Sequence, residues 1–547
     1  MHLSNQHPGH RHGAGGCAIC ASIASGSTPP TRRFTATAAA SRRAASGTTG
    51  RAPSPAPSSR QSGHVKVPHG EYVIEAGYVL AQRDGKQVLI RDASVLVRGD
   101  RIAKVSDSHI MGNMPRIKVP GQILMPGFIS GHTHTCAGSA TRGLIEAGRS
   151  YARPCELIEE LSDEDMDDLT AYNLAELVRS GCTTQLEMSL SLRQAESYVR
   201  VATRWGVRGF PGPMVPGIKR LFRIWHRNED DDILHESVPD TLKEIAAAYA
   251  FAQRHMGAGD GRIMPMMTPH ATDTHTTDTL RTILAHATDL GTGVHIHLSQ
   301  RETETSAVRR LWGMTPTQWL HDLGFFDIPL FCAHMGGMDL TVDPQIMAAS
   351  NAVMSHCPSG GGAGFSSQPY PEALAAGMKV NIGIDTHSND YLENLKLAVV
   401  YGKVRARLLA PTSNVALKSP TAGDAVEGAT LVAAKGLRRD DLGRIEEGAK
   451  ADLVSVDVSG FLVGAGTLPP EPLNNLLYAN GQMVRHVITD GLIQFFDGQM
   501  VVDDQAEVMR RGGEVTHRIW QQLQEEGYFT PPDSSTREAR EHLPPAR

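Results

Sequence analysis

Residues 126–135 read Pro126-Gly-Phe-Ile-Ser-Gly-His132-Thr-His134-Thr135 and decide how the rest of the chain is read. Two histidines two apart close an apolar run that starts at Gln122. On a β-strand, residues two apart point to the same side, so both imidazoles can reach one metal ion. A lone His-x-His is a weak signal, because many such pairs are solvated loop histidines. Here three further stretches of the same kind follow. Gly293-Val-His295-Ile-His297-Leu-Ser-Gln300 is one, Pro329-Leu-Phe-Cys-Ala-His334 another, and Lys379-Val-Asn-Ile-Gly-Ile-Asp385 the third. Each is a short apolar run with a His or Asp at or near its C-terminal end.

Helical patterns fall between them: Asp163 to Arg179, Asp240 to His255, Thr277 to Leu290 and Thr315 to Leu323. Strands alternating with helices predict parallel βαβ units. In a (β/α)8 barrel the chemistry sits at the C-terminal strand ends, where these residues fall. Three imidazoles and a carboxylate with an open position describe a catalytic metal site of the zinc type.

With these motifs the chain resembles the amidohydrolase superfamily, over roughly residues 70 to 510. It is most similar to the mononuclear branch that holds cytosine, guanine and S-adenosylhomocysteine deaminases and the s-triazine hydrolases. The family pattern His-x-His-x(7)-Arg-Gly fits His132, His134, Arg142 and Gly143. The stretch before the fifth strand fits Pro269-His270-Ala271, and the fifth strand itself fits His295 to Leu298. Ala333-His334, His356-Cys357-Pro358-Ser359 and Gly383-Ile384-Asp385 fit the later strands, and Gly443 to Leu453 fits the closing motif.

The resemblance implies an α/β fold: a TIM-like barrel with a small β-sandwich formed by both flanks. It implies metal ligation by His132, His134 and His297, with Asp385 and His334 binding or closely approaching the ion. Asp385 is the expected base toward water and His334 a proton carrier. His295 is expected to pack or to orient other groups. His270, His356, Arg142, Asn389 and its neighbour His387 are expected substrate contacts, with packing roles as the alternative. One divalent ion per subunit follows, zinc ahead of iron, manganese or cobalt. Glu187 ends an expected strand and suits a bridging role in a two-metal site. The expected fourth strand, Gly206 to Pro211, lacks the Lys that binuclear relatives carbamylate, which favours one metal.

One departure concerns mechanism. The family's deaminases carry a Glu three residues after the fifth-strand ligand, and here that position is Gln300. An amide hydrogen-bonds but does not titrate near neutral pH. General acid–base help is worth roughly a hundred- to ten-thousandfold in rate. Two substrate classes follow: an amino-substituted heterocycle losing ammonia or an amine, or an amide, phenylurea or (thio)carbamate with no ring nitrogen to protonate. Neither Glu302 nor Glu304 inherits the missing role. A noncatalytic scaffold on the same fold is a remote third reading. The Gly360-Gly-Gly-Ala-Gly-Phe run also replaces the family's Asn-containing turn.

The 547 residues carry a formal net charge of -6 and no run of eighteen apolar residues. These give no reason to expect nucleic acid or membrane as partner. Seven cysteines without regular pairing fit a reducing compartment, so cytoplasmic residence is expected, while the resemblance implies a small-molecule substrate and a homo-oligomer. Residues 1–69 hold no Asp or Glu and read as a disordered leader, either a transit-like segment or a plain flexible extension. The division expected is 70–125 plus 436–503 for the β-sandwich, 126–435 for the barrel, and 504–547 for a C-terminal helix and tail. Pro211 to Asp232 reads as a long irregular segment, either a lid or an exposed insertion.

Overall fold

The apolar run from Gln122 to Ser130 serves two sheets, and Gly127 is where it passes between them. A Cβ at Gly127 would lie 2.2 Å from Thr183 Oγ1, so the backbone passes there only without a side chain. Before it runs β4 (Arg116–Pro126), part of the flanking sheet; after it runs β5 (Phe128–Thr133), the first barrel strand. The computed structural model describes residues 67–225, 231–362 and 368–529. The expected leader, apart from 67–69, and the tail beyond 529 lie outside the described residues.

The flanks meet in one sheet of eight strands. From the N-terminal side come β1 (Glu71–Arg83), β2 (Lys86–Arg98), β3 (Arg101–Ser106) and β4. From the C-terminal side come β13 (Leu453–Asp457), β14 (Val484–Thr489), β15 (Leu492–Phe496) and β16 (Gln499–Met500). The order is β16-β15-β14-β13-β4-β1-β2-β3, so the two ends of the chain join where β13 runs antiparallel to β4. Tyr72, Ile74, Val95, Val97, Leu124 and Leu453 share its core.

The barrel strands after β5 are β6 (Cys182–Ser189), β7 (Arg208–Val215), β8 (Thr268–Pro269), β9 (Val294–Leu298), β10 (Leu330–His334), β11 (Val353–His356) and β12 (Lys379–Ile382). All neighbouring pairs along β5 to β8 and β9 to β12 are parallel. Two seams close the ring. His295 and His297 donate backbone N–H bonds to Met267 and His270, each at 3.0 Å, joining β8 to β9. Ile384 and Asp385 donate to His132 O at 3.0 and 3.2 Å, joining the end of β12 to β5. Helices Asp163–Arg179 and Thr277–Asp289 lie between barrel strands and start on the side-chain caps Ser162 and Thr276, and Gln505–Glu525, after the last strand, starts on Asp504.

Two expectations need correction. Gly206 to Pro211 opens the third barrel strand, not the fourth; the fourth is the two-residue β8, and residues 262–271 around it also lack Lys. The segment from Pro211 is not irregular either. Its first part is buried β7, and Ile218–Trp225 and Asp231–His255 are helices, with 226–230 outside the described residues. In β7 the odd-numbered residues face β8, shown by Met266 N–H bonding Pro211 O at 3.0 Å and His270 N–H bonding Val215 O at 2.7 Å. Pro211 and Pro213 therefore remove two donors on that edge only, which keeps β8 short while β6 still pairs along six residues.

At the start of β7, Arg208 is 1% exposed and ties the barrel to the flanking sheet. Its guanidinium donates to Asp452 at 3.0 and 3.2 Å and also to Asp490. Asp452 is the acid of the closing sequence motif, so that motif marks a structural clamp at the N-terminal end of the barrel, away from the chemistry.

Candidate metal centre and cavity

The groups on β5, β9, β10 and just past β12 converge. His132, His297 and His334 offer ligand atoms within 4.8 Å of one another, and so do His132, His134 and Asp385. Nε2 of His134 lies 3.6 Å from Asp385 Oδ1, and Nε2 of His334 lies 3.7 Å from Asp385 Oδ2. His297 Nε2 is 3.3 Å from His134 Nε2. All five side chains are buried.

What aims the rings is the other nitrogen of each. His134 donates Nδ1–H to Met188 O at 2.6 Å, and His297 donates Nδ1–H to His270 O at 2.7 Å. A ring that carries its proton on Nδ1 has a bare lone pair on Nε2. His132 Nδ1 meets His295 Nε2 at 2.8 Å, which gives His295 the orienting place expected for it. His132 Nε2 and His334 Nε2 are buried with no hydrogen-bond partner among the described residues. Burial, reinforced by the crowd of neighbouring imidazoles, holds His132, His295 and His334 well below the usual histidine range and His297 down to about 3. The Nε2 atoms of His132, His134 and His297 beside the Asp385 carboxylate are the donor set a divalent cation takes. The residues fit such an ion.

The backbone here is bent in an unusual way. Ser299, His334, Met335 and Asp385 all have positive φ, between 44° and 75°, without being glycine. Such residues cost about 1–3 kcal/mol each and gather where function over-determines the chain.

A cavity of about 470 Å³, counting its mouth, opens onto the cluster. Its polar side is lined by His134, His270, His297, Gln300, Asp385 and His387. Its apolar side is lined by Tyr151, Leu190, Met214, Ile218 and Leu221. Ile218 and Leu221 sit on the helix that replaces the expected irregular segment. None of the apolar wall was identifiable beforehand, since nothing in these residues' types separates them from ordinary core.

Of the expected substrate contacts, His270 and His387 line the cavity, His270 with Nδ1 3.3 Å from Thr274 Oγ1. Arg142 does not: it pairs with Glu176 at 2.7 Å, its side chain 39% exposed, and braces the first βα loop. Asn389 also lies off the cavity, its Nδ2 3.4 Å from Asn173 O. His356 is buried against Tyr370 and meets Gln368 at 2.8 Å. Glu187 is consumed by Thr133, Thr135 and Ser189, with four contacts of 2.6–3.0 Å, and has no bridging place. His387 sits between Glu146 Oε1 at 3.4 Å and Asp385 Oδ2 at 3.8 Å. Burial opposes its charging, but the bond to Glu146 and the Asp385 charge outweigh that and raise it.

Behind Gln300 lies Glu304. Glu304 is buried and accepts from Gln300 N at 2.7 Å and Thr272 Oγ1 at 2.6 Å. Burial, with help from the charge of Asp273, pushes it up to about 8. It staples the loops after β8 and β9 and does not line the cavity.

The sequence profile of the Amidohydrolase family matches residues 123–493. A 5-methylthioadenosine/S-adenosylhomocysteine deaminase of Desulfitobacterium hafniense (strain DSM 10664 / DCB-2) is 28% identical over 451 residues, covering 78% of this chain and 94% of that protein. Among solved structures, an adenosine deaminase from Xanthomonas campestris with bound zinc superposes with a TM-score of 0.65. It is 22% identical and covers 83% of this chain and 99% of that one. An atrazine chlorohydrolase from Arthrobacter aurescens TC1 complexed with zinc gives 0.68 at 18% identity, covering 81% and 100%.

Proposed function

We propose that this chain, which belongs to the amidohydrolase family, is a metal-dependent hydrolase of a non-peptide C–N bond, acting on an amino-substituted heterocycle. The observation that carries the reading is the convergence of imidazole Nε2 atoms and the Asp385 carboxylate at one end of a closed barrel. Similarity to deaminases supports loss of ammonia or an amine from a ring. The apolar arc from Tyr151 to Leu221 supports a flat or alkyl-substituted substrate.

His132, His134, His297 and Asp385 would hold one divalent ion, and similarity to zinc-bound structures supports zinc ahead of iron, manganese or cobalt. Such an ion polarises the reacting carbon and brings the pKa of a water toward neutrality. Asp385 then takes the water's proton. His334, 3.7 Å from Asp385, helps return a proton to the leaving nitrogen. Gln300, on the cavity wall, binds substrate by hydrogen bonds and does not shuttle protons.

Gln300 favours one alternative: an amide, phenylurea or (thio)carbamate hydrolase, whose substrate has no ring nitrogen awaiting a proton. Self-association completes the proposal. Val400, Val404 and Leu408 are 43%, 51% and 72% exposed at four-residue spacing on helix Tyr391–Leu409, a face suited to a second copy. Cytoplasmic residence rests on the free buried cysteines, and no helix among the described residues is long and apolar enough to cross a membrane.

Asp385→Asn tests the mechanism. Turnover should nearly vanish while part of the metal stays bound; near-normal turnover refutes the role of Asp385.

A further inference from the structure

The side-chain amide of Gln368 lies among two buried histidines and the backbone of Cys357. Cys357 N–H can only donate, and it lies 2.8 Å from Oε1; Cys357 C=O can only accept, and it lies 3.1 Å from Nε2. These two contacts settle which end of the amide is oxygen and which is nitrogen. His356 Nδ1 sits 2.8 Å from the oxygen, and His334 Nδ1 sits 3.3 Å from the nitrogen. The oxygen accepts and the nitrogen donates. Both lone pairs and both hydrogens of the amide are then in use.

The consequence falls on the two rings. His356 must carry its hydrogen on Nδ1. His334 must present a lone pair on Nδ1. A ring that accepts on Nδ1 is not the imidazolium, so His334 is neutral, and burial holds His356 down to about 4. A neutral imidazole has one hydrogen, so the rings are opposite tautomers. His334 carries its hydrogen on Nε2, the atom 3.7 Å from Asp385 Oδ2.

We propose that Gln368 is a positioning residue that holds His334 as the Nε2–H tautomer, so that this ring meets the reaction centre as a hydrogen-bond donor and not as a metal ligand. The contrast lies in the same cluster. His134 and His297 give Nδ1–H to backbone carbonyls and turn bare Nε2 lone pairs inward, whereas His334 receives a hydrogen on Nδ1 and turns an N–H inward. One amide thus separates the ligand imidazoles from the one that addresses water or substrate. The inference rests on reading this cluster as the reaction centre, but its test needs no turnover.

The experiment is long-range 1H–15N correlation on the full chain with 15N-labelled histidine, zinc-loaded and zinc-free, with His334 and His356 assigned from their Asn variants. The wild type should show His334 as Nε2–H and His356 as Nδ1–H in both states. Ionised, the carboxylate of Gln368→Glu presents only acceptors, so at a pH where its 13C shift shows it ionised His334 should switch to Nδ1–H and X-ray absorption should count one more imidazole on zinc. If Gln368→Glu fails to fold, the wild-type spectra still decide. His334 as Nδ1–H in the wild type, or His334 coordinated through Nε2 in the zinc-loaded wild type, overturns the proposal. So does an unchanged tautomer in a folded Gln368→Glu whose carboxyl is ionised. None of these outcomes bears on which C–N bond is cleaved, so this inference and the functional reading fail separately.

Discussion

Replacing His295 by Leu should weaken metal binding about 10- to 100-fold without touching a ligand. His295 is 0% exposed, and its Nε2 lies 2.8 Å from His132 Nδ1. Leu roughly keeps the volume but offers no acceptor, so the Nδ1–H that His132 needs for a bare Nε2 is left buried and unsatisfied. An orphaned buried donor costs about 1–3 kcal/mol. At about 1.4 kcal/mol per decade that is roughly a 5- to 150-fold change in affinity, which brackets the 10–100-fold typical for groups that orient metal ligands. The assay is competition against a chromophoric chelator at fixed pH, with circular dichroism to confirm the fold. His295→Gln, whose amide oxygen can accept from Nδ1–H, should recover most of the loss. A folded His295→Leu protein with wild-type affinity would refute the reasoning, because His132 would then need no partner to stay aimed.

Gln300→Glu separates the two substrate classes: ring deamination should gain activity, up to the hundred- to ten-thousandfold of a general acid, whereas urea or carbamate cleavage should not. His275, buried between Thr279 and Val215 O at 2.8 Å, is lowered by burial from 6.5 to about 4. Its unfolded form binds the proton first, so its stabilisation is whole above pH 6.5, is lost as pH falls through that value, and levels off below about 4. By linkage the loss is about 2 kcal/mol at pH 5. The stability gap between wild type and His275→Gln in denaturant titrations should therefore shrink by that amount from pH 7.5 to 5, and a constant gap would contradict it. Arg208→Leu strands Asp452 and should destabilise by about 3–5 kcal/mol, seen as a lower melting temperature; Lys450, 3.3 Å from Asp490, spares only that second acid. An unchanged melting temperature would show that the clamp is dispensable.

The ligand constellation was legible because strand geometry is local. His132 and His134 must share a side of β5, and His297, His334 and Asp385 each end or follow an apolar run that forms a strand. Helix Asp163–Arg179 was readable to the residue, since Ser162 caps it and three acids follow. Missed features depend on partners distant in sequence. Arg142 leaves the cavity because Glu176 waits 34 residues later, and Asn389 leaves it for Asn173, 216 residues earlier. The Pro-Gly run at 211–217 read as a loop because proline lacks a donor, yet in β7 both of its strand prolines face the edge where β8 barely pairs. Gln368 carries no local signal at all: its meaning comes from His334 and Cys357, 34 and 11 residues away.

The central claim is that this metal centre hydrolyses a C–N bond on an amino-substituted ring. The direct measurement is mass-spectrometric product analysis with protein of known metal content. The panel would hold amino-pyrimidines, purines and triazines beside aryl ureas, carbamates and anilides. The expected result is loss of ammonia or amine from a ring, abolished by chelator and restored by zinc. Cleavage of the open-chain substrates alone, or no metal-dependent product from any, would contradict it.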